Sequence, residues 1–276
     1  MKIIINAQTV NIIVLNGQSV DTPKENNTEI KPEKNNDVEI KPSISFGEYI
    51  LDKTTVTFEE SLSVLAQKNS AYRERMVGKL VTRLTNSLYS GSYRIIGYDH
   101  DGSHNTFDLL TEDCVQQASS GFGSFNRHYN DSGCYARIFA EETFYNAFDS
   151  TIKEHIKPME VKYYYSDSNN SSTGTLQTNT RYGKLLSYNE IGYGQSGPSK
   201  YTYAPSDLEG NLYPYFNNTT ASLRIKKYNG SAVGWWLRSR DTYDANDVGR
   251  IGTNGSAGYN DYDGAGDYLA PVLRIG

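Results

Sequence analysis

Gly234-Trp235-Trp236-Leu237-Arg238-Ser239 decides how this chain is read, and Leu269-Ala270-Pro271-Val272-Leu273-Arg274-Ile275-Gly276 closes the same stretch at the C-terminus. The first string holds both tryptophans of the chain. On an extended backbone successive side chains point to opposite faces, so the two indole rings diverge and at least one belongs in a core. The closing string is apolar around Arg274 and reads as a final strand. Between the two strings, residues 240–268 carry Tyr243, Asn246, Asn254, Ser256, Tyr259, Asn260, Tyr262 and Tyr268 among many Asp, Gly and Ala residues. Gly255, Gly258, Gly264 and Gly266 leave too little side-chain volume nearby to pack these tyrosines. The spacing therefore predicts an exposed surface of rigid aromatic rings with adaptable polar neighbours, the make-up of a binding loop.

The whole composition leans the same way. The chain has 276 residues, enough for one large domain or two modest ones. Its formal net charge is -5 with 21% charged residues, which leaves no global basic field for nucleic acid. No apolar run approaches the ~20 residues of a membrane span, so no membrane insertion is expected. Hydrophobic residues make up 37%, below the usual globular share, and predict that part of the chain stays outside a packed core. Tyrosine is unusual at 23 residues against 9 Phe, and it suits half-wet contact surfaces. Cys114 and Cys134 cannot make a disulfide framework and are read as buried free thiols. Met1-Lys2-Ile3-Ile4-Ile5 begins like a signal peptide, but Asn6, Gln8 and Asn11 break the apolar region, so export by that route is not expected.

Four segments follow from a pass along the chain. Residues 1–20 predict an N-terminal strand pair around Asn16-Gly17. Residues 21–43, where Glu29-Ile30-Lys31-Pro32 recurs as Glu39-Ile40-Lys41-Pro42, predict a flexible linker. Residues 44–90 predict a helical segment. Thr57-Phe58-Glu59-Glu60 is a capping box, and a second helix follows Ser70 with Val77, Leu80, Val81, Leu84 and Leu88 at helical spacing, stopped by Gly91. Residues 91–276 form the head. There, Tyr93–Gly97 and Thr106–Leu110 read as strands around Asp99-His100-Asp101-Gly102-Ser103. A hairpin turn is favoured over a calcium loop, because the twelfth position from Asp99 is Leu110, where a bidentate carboxylate is needed. Tyr135, Ile138, Phe139, Phe144, Tyr145, Phe148, Ile152 and Ile156 mark one or two helices ending before Pro158. Tyr163-Tyr164-Tyr165 and Leu185-Leu186 read as strands, residues 166–180 as a loop, and residues 193–218 as a long tyrosine-bearing loop.

Catalytic patterns are missing from the sequence. His100, His104, His128 and His155 form no HExxH, and none has zinc spacing to a cysteine. Gly194-Gln195-Ser196-Gly197-Pro198 lacks the second glycine of a nucleophile elbow, and Gly121-Phe122-Gly123-Ser124-Phe125-Asn126 ends where a dinucleotide fingerprint needs Gly or Ala. The reading is of a non-enzyme with no cofactor and no metal.

Taken together, the Trp235-Trp236-Leu237-Arg238-Ser239 string and the final apolar strand resemble a bacterial and phage family of C-type-lectin-like domains. Further pieces agree in order: Tyr98-Asp99-His100-Asp101 before Asp108-Leu109-Leu110, then Ala136-Arg137-Ile138-Phe139 and Phe144-Tyr145-Asn146-Ala147-Phe148. Leu185-Leu186-Ser187, Glu190-Ile191-Gly192 and Asn229-Gly230-Ser231-Ala232 follow. The commoner pattern puts Arg directly before Pro, whereas Pro271 here precedes Arg274. Formylglycine-generating enzymes share this general fold, but their chemistry is cysteine-based near the C-terminus, and no Cys follows Cys134. Residues 240–268 also lack Lys, Glu, Gln, Met and Trp, the types that adenine mutagenesis of Asn codons cannot reach. In this the chain is similar to the variable proteins of diversity-generating retroelements, including phage tropism determinants.

The resemblance implies an α+β fold, a C-type-lectin-like head carried on the strand pair, spacer and helical segment. It implies a ligand-binding surface of Tyr243, Asp244, Asn246, Asn254, Ser256, Tyr259, Asn260, Tyr262, Asp263 and Tyr268, with Trp235, Trp236, Leu237 and Leu273 as scaffold. The implied partner is a host cell-surface protein or glycan, and the implied location a virion tail tip or a cell surface. Self-association into a homo-oligomer such as a trimer is compatible with this. The rival reading is a carbohydrate-binding lectin domain of fixed specificity on a bacterial surface protein.

Overall fold

The computed structural model describes residues 46–118, 129, 133–165, 175–193, 209–217, 220–240, 247–261 and 266–276. The chain divides into two units, Met1–Asp52 and Lys53–Gly276. In the first, the described element is a helix, Phe46–Leu51. The expected strand pair over 1–20 and linker over 21–43 lie outside the described residues.

The second unit opens on the expected capping box. Thr57 Oγ1 accepts from the Glu60 amide at 3.2 Å and Glu60 Oε2 accepts from the Thr57 amide at 2.9 Å, so two orphan donors are satisfied reciprocally. The helix they start, Phe58–Ala66, buries Phe58, Val64 and Leu65. The next helix is shorter than its apolar spacing suggests. It runs only Ser70–Met76, capped by Asn69, whose Oδ1 accepts from the Ala71 amide at 3.0 Å. Gly78, not Gly91, ends it: its φ of +88° turns the chain into a strand, Leu80–Thr82. Of the apolar stripe, Val81 in that strand and Leu84 beyond it are buried while Leu88 is exposed, so these residues do not share one helix face.

That strand joins a six-stranded sheet in the order Thr55–Thr57, Leu80–Thr82, Tyr93–Tyr98, Phe107–Thr111, Val272–Ile275, Ile156–Lys157. The first pair is parallel and the rest antiparallel. Tyr93–Tyr98 and Phe107–Thr111 form the expected hairpin. Its turn holds Asp99, Asp101 and Asn105 at φ of 45°, 53° and 58°. Asp99 is spent on structure: it accepts from the Thr106 amide at 3.0 Å and from Arg73 at 2.9 and 2.5 Å. The final strand inserts beside Phe107–Thr111, with Arg274 opposite Asp108.

A second sheet has five strands in the order Ala257–Asp261, Asp247–Ile251, Trp235–Arg240, Tyr268–Leu269, Gln116–Gln117. Both Trp235 and Trp236 are fully buried in it, so both rings are core. Ahead of it, Lys226–Tyr228 and Ser231–Val233 pair across Asn229 (φ 49°) and Gly230 (φ 82°), two left-handed residues that close a tight hairpin. Met159–Tyr165 pairs with Thr175–Arg181 over seven positions. The expected loop over 166–180 is thus a strand from Thr175 onward; its three β-branched threonines fit a pleated surface, which the polar composition conceals. Leu185 and Leu186 are buried, as strand residues would be, but lie outside a strand, next to a single bridge from Lys184 to Val272. The helical stretch from Tyr135 exists as expected up to Lys153, interrupted by a π-turn over Phe139–Thr143, but Ile156 lies in the strand Ile156–Lys157 instead. The chain is therefore α+β. No helix among the described residues is long and apolar enough to cross a membrane.

Cys114 and Cys134 are both buried and unbridged. Burial pushes each thiol up to about 12, so at neutral pH neither presents a thiolate. A water-soluble disulfide reagent is expected to leave both unmodified in the native protein and to titrate two thiols in denaturant. Rapid native labelling of either would refute this placement.

Candidate functional site

The strand Trp235–Arg240 sorts its neighbours onto two faces. Trp235 pairs with Ile251 and Tyr268, and Trp236 with Arg250. On the outer hairpin, Gly249 pairs with Tyr259 and Val248 with Asn260. Alternation then puts Trp235, Ile251, Tyr259 and Tyr268 on one face, and Trp236, Arg250 and Asn260 on the other. Contacts agree. A Cβ on Gly249 would meet the Tyr188 ring at 2.6 Å on the first face. A Cβ on Gly234 would collide with Arg250 and Asp267 on the second.

Of the predicted surface residues, Asn254, Ser256 and Tyr259 are exposed and Asn260 and Tyr268 are half-buried. Tyr243, Asp244, Asn246, Tyr262 and Asp263 lie outside the described residues. Asn254 and Ser256 form the hairpin tip, where Asn254 Oδ1 accepts from the Ser256 amide at 3.0 Å. Tyr193 donates to the Gly255 carbonyl at 3.1 Å, and Tyr188 donates to the Gly258 carbonyl, so the hairpin is tied down from outside the strand ladder. Tyr259 is 39% exposed on this fixed edge strand. Asn260 faces the other way and donates to Asp267 Oδ2 at 3.3 Å, while Arg250 donates to Asp267 Oδ1 at 2.6 Å. Tyr268 leans on Tyr228 with ring centroids 4.7 Å apart. The structure therefore brings Tyr259 together with the hairpin tip and sets Asn260 on the reverse side.

Sequence reasoning missed what lies beneath. Arg238 points into the protein and clamps Glu190 at 2.5 and 2.9 Å, and it also donates to the Leu185 carbonyl at 2.7 Å. Lys184 Nζ donates to the same carboxylate at 2.7 Å, and the Ser187 amide at 3.0 Å. Desolvation drives the Glu190 carboxyl up, but Arg238 and Lys184 outweigh it and hold it down at about 2. A second buried pair, Arg274 with Asp108 at 2.6 and 2.8 Å, accepts a further bond from the Tyr213 hydroxyl at 2.8 Å. His100 stacks on Tyr213 with centroids 3.8 Å apart, and burial lowers its affinity for a proton. One signal could have exposed these pairs. Arg238, Arg274 and Asp108 each interrupt an apolar strand, where an unpaired charge would be prohibitive, so each requires a buried counter-charge.

Ligand atoms of His100, Asp101 and Glu190 lie within 4.8 Å of one another, which raises the question of a metal. The cation of this cluster is already supplied by the chain. Lys184 Nζ stands 2.7 Å from Glu190 and 3.9 Å from Asp101, and Arg238 takes the remaining Glu190 oxygen. A divalent ion would add two charges to a balanced buried set, so these residues fit a structural ion network better than a metal centre.

Fold and site together define an α+β domain with an exposed, braced hairpin above a buried charged core. A model of the family described as a domain of unknown function, DUF6273, matches residues 105–275, and the chain belongs to that family. No curated protein and no solved structure matches the chain.

Proposed function

We propose that the head is a non-enzymatic, C-type-lectin-like ligand-binding module whose contact surface is built around the Asp247–Asp261 hairpin. The observation that carries this is Tyr259, a large exposed ring on an edge strand whose backbone is fixed by Tyr188 and by the Tyr193 bond at the hairpin tip. A ring held before binding loses little entropy on contact, which is how tyrosine-rich paratopes gain affinity. The partner in this reading is a protein or glycan of a bacterial cell surface, reached from a phage tail tip or a neighbouring cell. The residue bias of 240–268 adds that the surface is diversified. Finding a near-copy of the coding region for residues 235–276 beside a reverse transcriptase gene is the expected genomic result.

The direct test is Tyr259→Ala, measured by flow cytometry of the labelled protein on intact bacterial cells and by thermal melting. Truncation at an exposed site is expected to change stability by under about 1 kcal/mol. Loss of a central interface tyrosine is expected to weaken binding roughly 30-fold, as about 2 kcal/mol requires. A variant that folds and binds like the wild type places the contact surface elsewhere.

A further inference from the structure

Lys184 has a second carboxylate within reach besides Glu190. Its Nζ stands 3.9 Å from Asp101 Oδ2, and the side chains of Lys184 and Glu190 are 0% exposed and that of Asp101 4%. An acidic residue in a hairpin turn ordinarily keeps its carboxylate in water. Asp101 is instead held left-handed at φ 53° with its side chain shut inside. The Lys184 backbone is fixed as well: its amide donates to the Val272 carbonyl at 3.0 Å, and its carbonyl accepts from the Val272 amide at 2.8 Å. Amine and carboxyl are thus held together from two sides, by the turn after Tyr93–Tyr98 and by the bridge to the final strand.

The surrounding charges decide which carboxyl can react. Arg238 grips both oxygens of Glu190, and the Ser187 amide adds a bond at 3.0 Å, so Glu190 stays an anion. With Arg238 and Glu190 cancelling, Lys184 and Asp101 remain as one ammonium and one carboxylate, too far apart for a hydrogen bond. Moving one proton from Lys184 to Asp101 Oδ2 leaves an amine and a carboxylic acid. Burial favours that neutral pair over two desolvated charges. Asp101 Oδ1 accepts from Asn211 Nδ2 at 3.1 Å. His100 Nε2, without a hydrogen-bond partner among the described residues, lies 3.5 Å from the same oxygen. In its Nε2–H tautomer His100 therefore joins Asn211 where negative charge gathers once the carbon is attacked. Tyr213, fully buried with its ring centroid 5.2 Å from Lys184 Nζ, walls the cluster together with the His100 ring stacked on it.

We propose that Lys184 and Asp101 condense into an intramolecular isopeptide cross-link, with Glu190 relaying the proton. The reaction starts from the ion-paired network described above. Lys184 Nζ attacks Asp101 Cγ, and as the N–Cγ bond forms the π electrons of Cγ=Oδ1 move onto Oδ1. Glu190 Oε1, 2.7 Å from Nζ, takes one proton from the nitrogen and passes it to Oδ2. The Cγ–Oδ2 bond breaks, the double bond to Oδ1 is restored, and one water leaves. Nothing is oxidised or reduced. The product replaces two buried charges by a neutral amide that staples the first hairpin to the final strand's neighbour.

Intact-protein mass spectrometry of the full chain, followed by tryptic digestion, tests this. The chain is expected to weigh one water less than its sequence requires. Residues 95–127 and 182–200 are expected to appear as one joined peptide, because an amidated Lys184 is not cleaved. Lys184→Arg and Asp101→Ala are expected to show their full masses and no joined peptide. Glu190→Gln, in samples that melt cooperatively, is expected to lower the joined fraction at least tenfold. A wild-type chain of full mass overturns the inference, as does a wild-type joined fraction in Glu190→Gln. So does a water loss that persists in Lys184→Arg, which places it at Asp101-Gly102 as a succinimide. A loss confined to residues 182–200 also overturns it, because the bond then joins Lys184 to Glu190.

Discussion

Replacing Glu190 with alanine is expected to destabilise the head by about 3–5 kcal/mol, enough to leave a domain of ordinary stability largely unfolded. The carboxylate is fully buried and is the common anion of Lys184 and Arg238. Its removal strands two desolvated cations, which costs far more than the net worth of the intact pair. Glu190→Gln keeps the volume and some hydrogen bonds, so it is expected to fall between wild type and alanine. Urea titration followed by tryptophan fluorescence measures this, because Trp235 and Trp236 share the core. A loss under 1 kcal/mol for the alanine variant would show that the network is not buried as described.

The same carboxylate sets an acid limit. Its folded-state value near 2 lies below the ordinary 4.5, so the unfolded chain binds the proton more readily. The stability it contributes is fully present above pH 4.5 and is lost as pH falls toward 2. The difference corresponds to on the order of 3 kcal/mol. His100 is also depressed and loses its contribution earlier, as pH falls below 6.5. Glu141 runs the other way: burial pushes it to about 7, so its contribution is present below pH 4.5 and lost as pH rises through 7. Glu190 therefore adds its loss only between 4.5 and 2, below the pH at which the loss at His100 begins. Acid-induced unfolding in that window is expected to flatten in Glu190→Gln.

How much of this was legible in the sequence depends on the range of the signal. The Thr57–Glu60 box and the Asp99 hairpin depend on a few adjacent residues, and such chemistry survives in any tertiary setting. The helix after Ser70 forms but stops at Met76, because apolar spacing of three and four also occurs by accident beyond it, and Gly78 outweighs that spacing. The strand from Thr175 failed because its partner, Met159–Tyr165, supplies the pairing that its own composition hides. At the site, strand alternation separates Tyr259 from Asn260, and only the register of Gly249 and Val248 reveals it. The buried charges were least visible. Arg238 and Glu190 are 48 residues apart, and Arg274 and Asp108 are 166 apart, so only the closed fold joins them.

A chain that begins at Asn105, where the family match begins, is expected not to fold. Phe107–Thr111 is an inner strand, paired on one side with Val272–Ile275 and on the other with Tyr93–Tyr98. Cutting at Asn105 removes that second neighbour together with Leu80–Thr82 and Thr55–Thr57. It also removes the buried side chains Val56, Phe58, Val64, Leu65, Met76, Val81, Leu84, Tyr93, Ile95 and Ile96. Each large side chain of this set contributes about 1.5–3 kcal/mol of burial, and the apolar faces of the remaining strands that they cover would be left in water. The severed strand would also present unpaired backbone groups along an apolar edge, which favours aggregation. The expected result is a weak near-ultraviolet dichroism signal, strong binding of a hydrophobic dye and no cooperative melt, against a sharp transition for the full chain. A cooperative melt in the shortened chain would mean that the segment before Asn105 is an addition to a fold complete without it. The family boundary at Asn105 thus divides a sheet, separating Tyr93–Tyr98 from the strand with which it pairs.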